Sequence, residues 1–323
     1  MKWNIYLTTI AVLIVSLFVA FGYVHRSELV LLTPQGAIAM EEREIIGITI
    51  LLASFVVVPV FFLLGIFIWK YRFNNPHAVR KHTPDWDHDN WIMEMFWWSI
   101  PALIILLLSL VIWRSSHELD PYKPIEGYGA PLTVEVVSLN WKWLFIYPEQ
   151  GIATVNMVEI PVGRPVRFIL TSDAPMNSFW VPSLAGQIMT MPGMKTELNL
   201  IASTEGEYAG SSGNISGEGF AGMRFNTVVV SPSEFETWVQ SVKGGSAILT
   251  HAEYESLALP SKNVAPTFYS EVSANLFDTI VMRSMMSGMD MRMPIDMKEM
   301  EVHSFNDVTE ATTTHRKIIT QPI

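Results

Sequence analysis

A chain of 323 residues that is half hydrophobic, carries eleven tryptophans and has a positive mean hydropathy is too apolar for an ordinary soluble enzyme, so part of it is expected in a membrane. From Ser115 onward thirteen Lys and Arg face twenty-three Asp and Glu, which places the whole net charge of −10 in the C-terminal part and excludes nucleic acid as a partner, because phosphate binding needs a basic footprint. The chain has no cysteine, which removes disulfides and thiolate chemistry together.

The first apolar run, Ile5 to Val24, follows a lone Lys2 and is long enough to cross the hydrocarbon. Residues 1–26 are therefore read either as a signal peptide, with Ala20-Phe21-Gly22 as a small-x-small cleavage site, or as a retained first transmembrane helix. The second run, Ile45 to Trp69, carries no charge and ends in an aromatic belt and basic residues, Trp69-Lys70-Tyr71-Arg72, with Pro59 at mid-span. A third run, Met95 to Trp113, has Trp91, Trp97 and Trp98 at one end and Trp113-Arg114 at the other. Residues 45–114 thus predict a transmembrane helical hairpin. Its short link holds Lys70, Arg72, Arg80 and Lys81, so the link is expected in the cytoplasm and the C-terminal two-thirds outside. Asp85, Asp87 and Asp89, with His77 and His82 nearby, read as a solvated loop rather than a metal site. Glu94 is the one ionisable residue that enters a membrane helix. A carboxylate at that depth is costly unless it faces protein or water, which marks it as functional, although a negative charge also suits a helix start.

From Pro131 to Ser231 the pattern changes to short β-rich runs separated by Gly, Pro and Ser clusters, which predicts a β-sandwich over residues 131–231. Trp141 and Trp143, two apart, are expected on one face of a strand as packing aromatics. Within this region YAGSSGNISGEGFAGM (Tyr208 to Met223) has the spacing of a metal loop: Ser212, Asn214, Ser216, Phe220 and Met223. Its residue types are wrong for soft copper, since a serine hydroxyl is hard and a phenylalanine ring donates nothing. None of the eight histidines (His25, His77, His82, His88, His117, His251, His303 and His315) falls between Pro131 and Ser231. The expectation is a redox-silent domain with no metal site.

After Ser231 the pattern turns helical: Phe235, Trp238, Val239 and Val242 recur at three- and four-residue steps, Gly244-Gly245 breaks the run, and another begins after Thr250. Residues 232–281 form an aromatic-rich extension. Residues 282–323 form a tail marked by Met282, Met285, Met286, Met289, Met291, Met293, Met297 and Met300. It is expected to be flexible, and its thioethers could also catch Cu(I). No nucleophile elbow, glycine-rich phosphate loop or helical histidine pair is present.

The metal-type loop, SDAPMNSFWVPSL (Ser172 to Leu184) and VEVVSLNWKWLFIYPEQG (Val134 to Gly151) resemble the external domain of subunit II of the haem-copper respiratory oxidases. In the cytochrome c oxidases of that family the domain holds two coppers through two Cys, two His, a Met and a Glu carbonyl, and a matching aromatic region admits electrons. Matched residue by residue, Asn177 and Phe220 take the His positions, Ser212 and Ser216 the Cys positions and Asn214 the Glu position, while Met223 is retained. That loss resembles the quinol oxidase branch, as does LALPSKNVAPTFYSEVSANLFDTIV (Leu257 to Val281). The resemblance implies a cupredoxin-like sandwich without copper on two, or with the first run three, transmembrane helices, followed by a helical C-terminal extension. It further implies a non-redox subunit of a proton-pumping ubiquinol oxidase in a bacterial inner membrane, with a periplasmic C-terminal domain. Haems and copper would sit in a partner subunit I, with other small membrane subunits alongside. Ubiquinol and lipid are the implied contacts, and cytochrome c is not. The spacing of Glu94, Trp97 and Pro101 matches the glutamate through which protons enter in this family. In quinol oxidases the N-terminal region is often a lipoprotein signal ending in cysteine, and without cysteine no lipid anchor is expected here. A copper-handling membrane protein using the Met-rich tail, a structural assembly factor and a cytochrome c oxidase subunit II are the alternatives, the last contradicted by the missing ligands.

Overall fold

The second apolar run forms most of a 34-residue helix, α1 (Ala37–Lys70), and the third forms most of α2 (Trp91–Glu118), in a computed structural model that describes residues 30–71, 91–125 and 129–290. The first apolar run, the basic link with its Asp and His residues, and the methionines after Asp290 lie outside the described residues. At about 1.5 Å per residue α1 and α2 are roughly 50 and 40 Å long, more than the roughly 30 Å of bilayer hydrocarbon. Both are long and apolar enough to cross a membrane. Polar side chains inside them are satisfied locally: Ser54 donates to the Ile50 carbonyl at 2.7 Å and Ser109 to that of Ile105 at 2.8 Å. Pro59 and Pro101 each remove one amide from the ladder, leaving the carbonyls of Phe55 and Trp97 to other donors.

α1 begins about two turns before the uncharged run, because its first turns form a polar stem tied to the external domain. The Gln35 and Gly36 amides donate to the Ser183 carbonyl at 2.7 and 3.1 Å, and Ala37 donates to Ile201 at 3.3 Å. The backbone approach is so close that a Cβ on Gly36 would lie 2.2 Å from the Leu184 carbonyl oxygen. Beyond the far end of α2, the backbone amide and side-chain amide of Asn199 hold the Pro121 carbonyl at 3.0 and 3.1 Å. Both outer ends of the helix pair are thereby fixed to one end of the β domain.

That domain is a sandwich. Strands β1 (Leu132–Leu139), β2 (Lys142–Tyr147), β3 (Ile152–Val155), β5 (Val166–Ser172), β8 (Thr196–Leu200) and β12 (Thr267–Tyr269) form a six-stranded sheet in the order β12-β3-β2-β1-β5-β8. Strands β4 (Met157–Pro161), β6 (Asn177–Trp180), β7 (Ile188–Thr190), β9 (Gly206–Ser212) and β10 (Arg224–Val230) form a second sheet in the order β4-β10-β9-β6-β7. β1 runs parallel to β5 and antiparallel to β2. Period-2 alternation divides the side chains of β1 and β2 between two cores. Leu132, Val134, Val136, Trp143, Phe145 and Tyr147 point inward between the sheets, and Val137, Leu139, Leu144 and Ile146 point outward. The inner core is built from rings, with Phe179 and Phe225 stacked at 5.0 Å and Trp143 edge-on to Phe179 at 5.4 Å. Because both faces of β2 are covered, its sequence is a nearly unbroken apolar run.

The outward face is covered by the extension. α3 (Pro232–Lys243) starts with a Ser231–Glu234 capping box and Pro232 in its first turn, and it packs Phe235, Val239 and Val242 against the sandwich. α4 (His251–Ala258) is capped by Thr250. β11 (Ile248–Leu249) pairs with β13 (Glu271–Val272), and α5 (Leu276–Asp290) lays Leu276, Phe277, Ile280 and Val281 on the outer face of the six-stranded sheet.

The tail read as flexible from Met282 onward is helical as far as Asp290, because Arg283 and the buried side of α5 dock it on the sheet. A second expectation also fails. Trp141 and Trp143 do not share a strand face, because β1 and β2 are joined by the two-residue turn Asn140-Trp141, which puts Trp141 at φ 66°. Trp143 is fully buried in the inner core, whereas Trp141 leaves the strand and covers the loop after β9.

Candidate functional site

The loop joining β9 to β10 carries the metal-type spacing, and β6 brings Asn177 beneath it. Ser212 is the last residue of β9 and is buried, as is Asn177 at the start of β6. The Ser212 hydroxyl donates to Asn177 Oδ1 at 3.1 Å, and Asn177 Nδ2 donates to Ser138 Oγ at 2.7 Å and to the Pro175 carbonyl at 2.9 Å. Asn214 ties the loop down through Nδ2 to the Met176 carbonyl at 2.7 Å. Two residues matched to metal positions thus hold each other in a neutral hydrogen-bond chain that satisfies groups too costly to bury unpaired.

The other matched residues have different surroundings. Phe220 opens a single 3-10 turn, Phe220–Gly222, and with Ser212 and Met223 lines a cavity of about 500 Å³ that also meets Val30, Pro182 and Ser183. Met223 is 1% exposed and belongs to the inner core, so its thioether is a packing group. The Ser216 hydroxyl is buried with no hydrogen-bond partner among the described residues, while its carbonyl accepts from Trp141 Nε1 at 3.2 Å. The indole lies against Gly219, where a Cβ would stand 2.3 Å from the ring, and the Lys262 ammonium sits 5.4 Å over its face while pairing with Glu218 at 2.8 Å.

This donor set of hydroxyls, amides and one thioether committed to the core does not fit a copper pair, which needs thiolate and imidazole. Among the described residues no group of three or more His, Cys, Asp and Glu is placed to hold a metal ion. Sequence reasoning missed Ser138, which anchors the chain of hydrogen bonds from a different strand. Its signal was available: it occupies the inward register of Val134 and Val136, where a polar residue demands a partner.

Glu94 lies in the first turn of α2, exposed with Trp91, Trp97 and Trp98 around it. Away from the membrane helices, burial raises two carboxylates. Glu135, on the outward face of β1, is pushed up to about 7 by burial and by the nearby charge of Asp278, with Lys195 opposing. Glu159 in β4 is pushed up to about 7 by burial and by Glu234. On the outer cover Tyr254 donates to Asp173 at 2.6 Å, and Arg283 joins Asp173 to Glu255 at 2.5 Å each.

Residues 149–231 match the family described as the cytochrome c oxidase subunit II periplasmic domain, and residues 243–288 match the COX aromatic-rich motif. The chain is 47% identical over 254 residues to the cytochrome bo(3) ubiquinol oxidase subunit 2 of Pseudomonas aeruginosa, covering 79% of this chain and 76% of that protein. It is 48% identical over 251 residues to the same-named protein of Pseudomonas putida, covering 78% and 79%. To the ubiquinol oxidase subunit 2 of Acetobacter aceti it is 45% identical over 256 residues, covering 79% and 82%.

Proposed function

The chain belongs to the family of ubiquinol oxidase subunit 2, and from that premise we propose that it is the non-redox subunit of a proton-pumping oxidase that takes electrons from a membrane quinol and reduces oxygen to water. One observation carries the reading. Where the resembling cytochrome c oxidases hold copper, this chain places the Ser212–Asn177–Ser138 hydrogen-bond chain, in which no soft donor is free. An electron arriving at the outer face would find no acceptor there, so the reducing equivalents come through the lipid phase. Haems and the oxygen-reducing copper belong to a larger partner, subunit I.

The role of this chain is then positional. The side chains of α1 and α2 are largely uncovered and apolar, a surface for lipid and for membrane helices of the partner subunits. The stem of α1 and the Pro121 clasp hold the sandwich at one end of that pair, on the periplasmic side of a bacterial inner membrane. Glu94, at the opposite end of α2, offers a carboxylate to protons entering from the cytoplasm.

Oxygen uptake by the purified complex, driven by quinol or by reduced cytochrome c, tests the reading together with metal analysis of this subunit. Quinol-driven uptake with no spectroscopic signature of an electron-carrying copper pair in the subunit is expected. Uptake driven by cytochrome c alone would overturn it. Glu94→Gln is expected to slow quinol-driven turnover by about a hundredfold while the complex still assembles, the low end of the range for loss of a proton-transfer group. Unchanged turnover would leave Glu94 as a helix-start charge.

A further inference from the structure

Helix α5 carries two distinct faces. Leu276, Phe277, Ile280 and Val281 are all less than a tenth exposed on the sheet, whereas Met282, Met285 and Met286 are 64%, 49% and 70% exposed. Their spacing of three and four residues stacks these methionines along one side of the helix, and Met289 continues it in the sequence. Thioethers usually fill gaps in cores, whereas these three are about half or more exposed and none belongs to either core cluster.

The fold then brings a further methionine to them. The connection from β7 to β8 is the tight turn Met191-Pro192-Gly193-Met194, closed by the Met194 amide on the Met191 carbonyl at 3.3 Å. Gly193, at φ +70°, lies against α5 so closely that a Cβ there would be 3.0 Å from both Cα and N of Met285. A residue without a side chain is what lets the turn seat on the helix at Met285, and the next residue in that turn is Met194, 52% exposed. Lys195 pins the same turn by pairing with Asp278 at 2.6 Å, and Arg283 holds the helix to Asp173 and Glu255. Turn and helix are thus held in backbone contact, so the thioethers they carry need little main-chain ordering to converge on a ligand.

We propose that Met194 on this turn and Met282, Met285 and Met286 on α5 form a thioether site for a soft monovalent metal ion of the Cu(I) class. Neutral sulfur donors without imidazole or carboxylate favour a soft, singly charged ion over Zn(II) or Cu(II). The acidic external domain adds a long-range attraction for any cation. The site is separate from the loop matched to the two-copper centre, and it concerns metal capture rather than electron transfer.

Silver(I) is a suitable probe, because it shares the softness of Cu(I) and is distinguishable from copper held by a partner subunit. The test uses the full-length chain in detergent micelles with Met289, Met291, Met293, Met297 and Met300 changed to Leu, so that only the proposed thioethers of the C-terminal region remain. Equilibrium dialysis followed by elemental mass spectrometry is expected to find about one silver per chain, held at micromolar or tighter affinity. Adding Met194→Leu, or Met282→Leu with Met285→Leu, is expected to weaken retention by at least about tenfold while the thermal midpoint stays unchanged, since Leu conserves volume. Absence of bound silver would overturn the proposal and leave the stripe as a surface for protein contact. Retention that is indifferent to Met194→Leu would overturn it as well, since the turn would then play no part.

Discussion

The two faces of the six-stranded sheet are closed in different ways. The inner face is sealed within the sandwich by stacked and edge-on rings, with Phe225 within 5.0 to 5.7 Å of Phe179, Phe145 and Trp143. The outer face is met by no large second sheet among the described residues, only by the two-stranded pair β11–β13 and by helices. Val137, Leu139, Leu144, Ile146, Ala153 and Val155 are covered by Leu249, Tyr254, Tyr269 and the buried side of α5, all from the C-terminal extension. Charge divides the faces too, since ion pairs from Lys195 to Asp278 and from Arg283 to Asp173 and Glu255 rim the outer cover. The aromatic-rich extension is therefore the other half of the sheet's burial, and without it a wide apolar surface would meet water.

The largest test of that division is Phe225→Ala. Removing a ring at the centre of the inner cluster should cost about 3–5 kcal/mol and lower the stability of the whole sandwich, read from urea unfolding. Phe277→Ala, on the outer side, should cost about 3 kcal/mol, the low end of the same range, but undock α5 alone. Hydrogen exchange would then quicken in α4 and α5 while β1, β2 and β5 keep their protection. Equal loss of protection on both faces would mean that the two cores unfold as one unit.

Much of this was legible in the sequence. The uncharged runs, the Ser231 and Thr250 caps and the Phe235–Val239–Val242 stripe each state a local rule that the chain obeys. Pairing between distant residues was not legible. Trp141 looked like a strand residue until the register of β1 on β2 placed it in a turn, and the junction of Gly193 with Met285 joins segments that no spacing links. At the candidate site the loss of soft donors was written in the residue types, whereas the bond from Asn177 to Ser138 depended on which strands lie side by side.

That bond sharpens the contrast within the inner face, between its apolar centre and its polar end. Ser212→Ala removes the donor to Asn177 Oδ1 and should cost about 1–2 kcal/mol, because a buried acceptor is left bare. Ser216→Ala removes a hydroxyl that already lacks a partner among the described residues and should be neutral or slightly stabilising. Thermal melts of the two variants measure the difference, and equal losses would show that the hydrogen-bond chain contributes nothing.

The smallest effect separates the faces by pH. Glu135 lies on the outward side of β1 near Asp278 and Lys195, and its folded-state pKa is raised from 4.5 to about 7. Between those values the folded chain holds a proton that the unfolded chain has released, so this group's contribution to stability falls as pH rises from about 4.5 to about 7 and is flat outside that window. Glu135→Gln should remove that slope, leaving stability at pH 5 nearly unchanged and raising it at pH 8 by about 1 kcal/mol once solvent screening of a half-buried carboxylate is allowed for. Glu159 titrates with the same sign but lies in the other sheet, next to Glu234. The protection factors of α5, with the intrinsic pH dependence of exchange divided out, should therefore become flat across this window in Glu135→Gln and keep their slope in Glu159→Gln. The opposite pattern would place the sensitive carboxylate on the wrong side of the molecule and remove the electrostatic half of the comparison.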